Sequence, residues 1–374
     1  MISRIIHSDI LTKMYKGKII HLYGARQVGK STLLNQLSKS IKEPILRLNG
    51  DDADVRQVFY NATSTKLGDL IKRHTVIFID EAQRIGNIGL ALKLMVDNFP
   101  EKQIIATGSS AFELANKINE PLTGRKYDFM LFPFSFSEMV NVHGILEEKR
   151  LMEKRMIYGY YPEVVVGEED EKEVLIRLSD AFLYKDIFIL ENIKKPLLVE
   201  KLLQALALQI GNEVSLTELG QLLNSDYKTV ERYIDLLEKA YIIFRLPSLN
   251  RNLRNEIKKS RKIYFYDNGL RNAIIRNFNP VETRSDTGAL WENFILAERY
   301  KYTSYHRMWL HRFFWRTHAQ QEIDYLEEFD GVLHAYELKW NSRKKAKLPK
   351  KFADSYPENE FKIINPDYYI DFIL

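Results

Sequence analysis

The stretch HLYGARQVGKSTLL, His21–Leu34, sets a glycine, four residues and then Gly-Lys-Ser into an otherwise apolar run. Before it, KGKIIHLY (16–23) reads as a short buried strand; after it, STLLNQLSKSIKE (31–43) carries apolar residues at helical spacing. The order is therefore strand, loop, helix. In that context Gly24–Ser31 fits the pattern GxxxxGK[ST], with Gly24, Ala25, Arg26, Gln27, Val28 and Gly29 forming a turn whose backbone N–H groups curl around a polyphosphate. Lys30 is expected to reach the terminal phosphates and Ser31 to ligate Mg2+. Thr32 follows directly and takes over the role of Ser31 only by a shift of register. The implied cofactors are ATP and Mg2+.

Hydrolysis needs a second anchor for the metal and a group that activates water. HTVIFIDEAQRI (74–85) is an apolar strand ending in Asp80-Glu81. Asp80 is placed to hold Mg2+ through its water shell, and Glu81 to accept the proton of the attacking water. A third apolar strand, KQIIATGSS (102–110), ends in hydroxyl residues. Thr107, Ser109 and Ser110 are candidates to sense the γ-phosphate, with Ser109 favoured, although hydroxyls after a strand also serve as helix caps.

With these motifs, and with PLTGRKYDFMLFPFSFSE (121–138) and YGYYPEVV (158–165), nearly the whole chain resembles the bacterial and archaeal AAA+-type ATPases that carry a C-terminal domain of uncharacterised role. The resemblance implies that Arg125, in the Gly-Arg after the third strand, is an arginine-finger candidate. Its guanidinium would neutralise transition-state charge in cis or from a neighbouring subunit, which implies a possible homo-oligomer.

At 374 residues, two or three domains are expected, each with its own apolar core. Hydrophobic residues make up 45% and charged residues 28%, no apolar run is long enough to span a membrane, and MISRIIHSDI is too polar for a secretory signal. A cytoplasmic protein without a membrane partner is expected. The chain has no cysteine, which excludes disulfides, thiol nucleophiles and thiolate metal sites. Its eight histidines show no HExxH spacing. Residues 1–250 carry 33 basic and 33 acidic side chains, and residues 251–374 carry 22 and 17, so the whole excess of +5 lies in the last third. That imbalance points to a polyanion partner, DNA, for the C-terminal part, with NSRKKAKLPKK (341–351) supplying much of it.

From about Lys149 the pattern turns helical. EVSLTELGQLLNSDYKTVERYIDLLEKAYIIFRL (213–246) has the cadence of a winged helix-turn-helix: Ser215 opens a short helix, Asn224-Ser225 turns, and Tyr227 to Ala240 forms a second helix before a strand. Lys228, Thr229, Arg232 and Asp235 are expected to be exposed on that helix, a face with fewer basic residues than a dedicated sequence reader presents.

The C-terminal part combines GALWENFILAERY (288–300), a helix with Glu292; QEIDYLEE (321–328), a strand with Asp324; a turn at Asp330-Gly331; and LHAYELKW (333–340), with Glu337 and Lys339 two apart on one face. This arrangement is similar to the PD-(D/E)xK nuclease core. The resemblance implies that Asp324, Glu337 and Glu292 bind Mg2+ while Lys339 positions or activates water against a phosphodiester. A salt-bridged strand pair kept for binding alone is the other reading of the same residues.

The expected architecture is α/β: a parallel-sheet P-loop ATPase domain of the AAA+ type over 1–145, a helical lid with a winged helix over 146–250, and a mixed α/β nuclease-like domain over 251–374. The expected function is a Mg2+-dependent ATPase that binds and processes DNA. A nucleotide-driven signalling switch, whose third domain only binds DNA or protein, competes with it.

Overall fold

Five short strands within the first 130 residues pair into a wholly parallel sheet. In the computed structural model, which describes residues 2–108, 122–181, 195–249, 260–317 and 319–374, these are β1 (Ile19–Tyr23), β2 (Ile45–Asn49), β3 (Val76–Asp80), β4 (Gln103–Gly108) and β5 (Lys126–Met130). Their order is β2-β3-β4-β1-β5. Every residue of β4 and four of the five in β1 and β3 are buried, which is why these strands read as continuous apolar runs rather than alternating ones. Ile19, Ile77, Ile79 and Ile104 pack with Leu67 and Leu92 from the flanking helices into one core. Ligands of open parallel sheets sit beyond the carboxyl ends of the strands, and Gly24 follows β1 directly at that edge.

The chain divides into two compact units, the first built on the described residues up to Phe134 with 239–241, and the second on the other described residues from Ser135 onward. The helix Phe136–His143, which the expected boundary at residue 145 would leave with the sheet, belongs to the second unit. Its amino end explains the difference. Ser135 and Glu138 form a reciprocal capping box, Phe136 N–H donates to Glu298 at 2.7 Å, and the Ser137 hydroxyl donates to the Ile373 carbonyl at 3.2 Å.

In the second unit β6 (Glu213–Val214), β7 (Ile243–Pro247) and β8 (Arg261–Phe265) form an antiparallel sheet in the order β6-β8-β7. Before β7 stand the helices Leu216–Leu222 and Tyr227–Lys239. Four more strands, β9 (His311–Arg316), β10 (Glu322–Phe329), β11 (Val332–Leu338) and β12 (Asn359–Ile364), form a mixed sheet in the order β12-β11-β10-β9, with only β11 and β12 parallel. The helix Thr287–Tyr305 has buried residues on all sides, as a core helix must. The motif at 158–165 is interlocked with 267–269: a Cβ on Gly159 (φ 68°) would lie 2.1 Å from the Asp267 carboxylate, which instead accepts the Tyr160 N–H at 2.6 Å.

Candidate functional site

The loop after β1 is shaped by backbone conformations that other residues would resist. A Cβ on Gly24 would stand 2.0 Å from the Leu131 carbonyl oxygen, and Gly29, at φ 96°, caps the helix Lys30–Ser40. Gln27 also has a positive φ, 56°, and is exposed, whereas Ala25 and Val28 are buried and Arg26 is half-buried. Lys30 is buried and folds back over the loop, donating to the Gly24 and Ala25 carbonyls at 2.9 and 2.7 Å. This is a cradle of backbone donors at a helix amino end, with a lysine ammonium inside it, and it fits a polyphosphate.

Across the cradle, Asp80 ends β3. The Ser31 hydroxyl donates to Asp80 Oδ2 at 2.6 Å, and the Thr107 hydroxyl, fully buried at the end of β4, donates to Asp80 Oδ1. Of the three expected sensor hydroxyls, Thr107 is the one found on the acid. Ser109, the favoured candidate, and Ser110 lie outside the described residues. Thr32 is exposed one position past Ser31 and has no such link to Asp80. Glu81 sits in the left-handed region (φ 49°), and its carboxylate accepts from Gln83 Nε2 at 2.5 Å. Ser31 and Asp80 are the pair suited to Mg2+, with Glu81 one residue further along.

Sequence reasoning missed Arg4. Buried, it donates to the Val28 carbonyl at 2.7 Å and to the Phe132 carbonyl at 2.6 Å, tying the phosphate loop to the end of β5. Nothing in the local pattern of SRIIH marks it. Arg125 lies away from the cradle of its own chain. Its carbonyl accepts from the Ile19 N–H, so it stands beside the start of β1, whereas the cradle follows the end of the same strand. Five residues of strand, roughly 16 Å, separate the two. The guanidinium pairs with Asp97 at 2.6 Å instead. In this arrangement the Arg125 side chain is engaged by Asp97 and not by the loop of its own chain.

In the second unit the expected hairpin forms. Asp330 and Gly331 both take positive φ, 51° and 79°, the conformation of a two-residue type I′ turn. The register that pairs Tyr325 with Tyr336 brings Asp324 level with Glu337. The pairing of β10 with β9 shifts by one residue between Ile323 and Leu326, and such bulges re-aim side chains. Asp324 Oδ2 accepts from the Leu338 N–H at 2.9 Å and from Lys339 Nζ at 3.1 Å; Lys339 Nζ is also 2.5 Å from Glu337 Oε2. Asp324, Glu337 and Lys339 therefore converge.

Glu292 lines the same cavity of about 350 Å3 as Asp324, Lys339, Trp340 and Lys344. Its carboxylate, however, is taken up by Lys262 at 3.2 Å and by the Tyr264 hydroxyl at 2.5 Å. Among the described residues no group of three or more carboxylates or histidines is placed to hold a metal ion. Of the three expected carboxylates, Asp324 and Glu337 lie together around Lys339, while Glu292 is held by Lys262 and Tyr264. Two carboxylates suffice for Mg2+ when substrate phosphate and water complete its shell.

Burial pushes the Glu292 carboxyl from its ordinary 4.5 up to about 7, with the nearby Asp324 charge adding to the rise. Burial and Asp324 likewise push Glu337 up to about 7. For Lys262, burial alone would favour the neutral amine, but Glu292, Glu322 and Asp324 outweigh it and hold the ammonium above its ordinary value. Lys339 is raised in the same way by Asp324 and Glu337, against burial.

Around this pocket the surface is basic. Arg343, Lys344, Lys345, Lys347, Lys350 and Lys351 are all exposed just beyond Lys339. On the helix Tyr227–Lys239, Lys228 and Arg232 are exposed and Thr229 is half-buried, while Asp235 is drawn to Arg245 at 2.6 Å. No helix among the described residues is long and apolar enough to cross a membrane.

Comparison with known proteins matches three stretches of the chain. Residues 16–140 match the AAA domain family, residues 149–281 a domain of unknown function (DUF8612), and residues 287–368 a domain of unknown function (DUF4143). An uncharacterized protein of Haemophilus influenzae is 26% identical over 280 residues, covering 67% of this chain and 68% of that protein. One from Methanocaldococcus jannaschii is 24% identical over 317 residues, covering 79% and 69%. Among solved structures, Bacteroides Pif1 bound to ssDNA overlaps 41% of this chain and 49% of its own at 11% identity, with a TM-score of 0.25. The first unit thus carries an AAA domain, and the chain has relatives in both bacteria and archaea.

Proposed function

We propose that the chain is a Mg2+-dependent ATPase whose second unit engages and cleaves DNA. The observation that carries the first half is the arrangement of Ser31 and Thr107 on the two oxygens of Asp80, opposite a cradle that already holds the Lys30 ammonium. Ser31 and Asp80 would hold Mg2+, which would supply positive charge against the developing phosphate charge. Lys30 would turn from the loop carbonyls to the phosphates, and Glu81 would orient a water and take its proton. Gln83 keeps the Glu81 carboxylate in place.

In the second unit, the helix pair at 216–239 with β6, β7 and β8 is read as a winged helix, and the hairpin β10–β11 with the helix Thr287–Tyr305 as a nuclease-like core. Division into an ATPase, a lid with winged helix and a nuclease-like domain is part of this proposal. Asp324 and Glu337 would hold a divalent ion that polarises a phosphodiester, and Lys339 would position the water that attacks phosphorus as the P–O bond to the sugar breaks. The exposed lysines of 344–351 supply the attraction for the backbone.

ATP turnover by the full chain with Mg2+, lost in Lys30→Ala, supports the first half; turnover unaffected by that change overturns it. DNA affinity that falls steeply with salt supports the second half. Binding that is indifferent to salt would favour the signalling switch with a protein-binding third domain.

A further inference from the structure

Four carboxylates of the second unit gather near one cavity, and two lysines lie among them in different ways. Lys339 bridges Asp324 and Glu337, at 3.1 and 2.5 Å, and its side chain keeps 29% of its exposure at the mouth of the cavity. Lys262 bridges Glu292 and Glu322, at 3.2 and 2.6 Å, and keeps 2%. It comes from β8, within a different sheet, and lies 5.5 Å from the centre of the Phe314 ring. Arg316, in turn, links Glu322 at 3.8 Å to Glu213 of β6 at 3.1 Å. Close carboxylates repel unless a cation lies between them. Lys339 follows the end of β11 and has solvent to withdraw into, so an incoming ion can take its place. Lys262 has no such exit.

Resting on the metal-dependent reading of Asp324 and Glu337, we propose that Lys262 is a positioning residue, a built-in cation that occupies Glu292 and Glu322 and limits the pocket to one divalent ion. The three-stranded sheet thereby completes a site that the hairpin alone would leave over-charged. The nuclease-core resemblance implies Glu292 as a metal ligand; Lys262 is the reason it is otherwise engaged.

Counting bound Mn2+ by calorimetry and electron paramagnetic resonance on the full chain without nucleotide tests this. The wild type is expected to bind one Mn2+ that disappears in Asp324→Asn. Lys262→Gln, which keeps a donor toward Glu292 and loses only the charge, should bind two, and Lys262→Arg should return to one. Adding Glu292→Gln to Lys262→Gln should remove the second. If Lys262→Gln does not fold alone, Mn2+ should restore its folding, read as a melting transition absent without the ion. A folded Lys262→Gln that still binds one ion, or an unfolded one that Mn2+ does not rescue, overturns the role of Lys262 while leaving the metal site standing. A wild type without any Asp324-dependent Mn2+ overturns the site itself.

Discussion

At the carboxyl edge of the parallel sheet a single carboxylate, Asp80, meets two hydroxyls and a lysine turned onto backbone carbonyls. In the second unit two buried carboxylates on facing strands share one lysine, and Glu292 and Glu322 share another. Under the proposed function, the first arrangement would place the recognition of phosphate in the backbone, where glycine conformations fix the donors, and the second in side-chain charge, where each added carboxylate requires a compensating cation. A backbone cradle is sensitive to shape; a charge cluster is sensitive to pH, salt and ions.

The largest effect is expected from Gly24→Ala. Its added Cβ would meet the Leu131 carbonyl at 2.0 Å, so nucleotide binding, measured by calorimetry, should disappear together with turnover, while Mn2+ binding in the second unit stays. Loss of both functions would erase the contrast between the sites.

Next come Asp324→Ala and Lys339→Ala. Each should reduce DNA cleavage by at least about a hundredfold, the usual scale for removing a group that acts on the transition state, with DNA affinity largely kept. Cleavage surviving both changes would move the chemistry elsewhere.

The pH response should also separate the two units. Glu292 and Glu337 have folded values near 7, above their ordinary 4.5. Between these limits the folded chain holds more protons than the unfolded one. Their favourable contribution is therefore complete below pH 4.5 and is lost as pH rises through 7. The second unit should lose stability over this window, on the order of 3 kcal/mol at most for Glu292, and Glu292→Gln should flatten the curve in urea melts. A profile unchanged by that substitution would contradict the burial argument.

The smallest effect concerns the basic rim. Replacing Lys344 and Lys345 by alanine should reduce the slope of log affinity against log salt by about 1 for each phosphate contact removed. An unchanged slope would place the DNA elsewhere on the surface.

The two sites were also unequally legible. The phosphate loop is contiguous, and its turn is dictated by Gly24 and Gly29 themselves, so Lys30 and Ser31 follow from local spacing. Period-two alternation and the Asp330-Gly331 turn were enough to bring Asp324, Glu337 and Lys339 together. Lys262 and Arg4 were not legible, because each acts on residues more than 20 positions away and neither lies in a periodic pattern that marks it. The position of Arg125 was not legible for a related reason: a motif reports its residue type, but only strand direction tells which edge of the sheet it occupies. Thr107, the last hydroxyl within β4, is the one found on Asp80, and Ser109 lies outside the described residues.

Phosphate release and bound nucleotide, measured on the same sample of Glu81→Gln, test the central claim most directly. ATP should remain bound at wild-type affinity while release falls by about a hundredfold or more, since only water activation is removed. Wild-type release from Glu81→Gln would contradict the account.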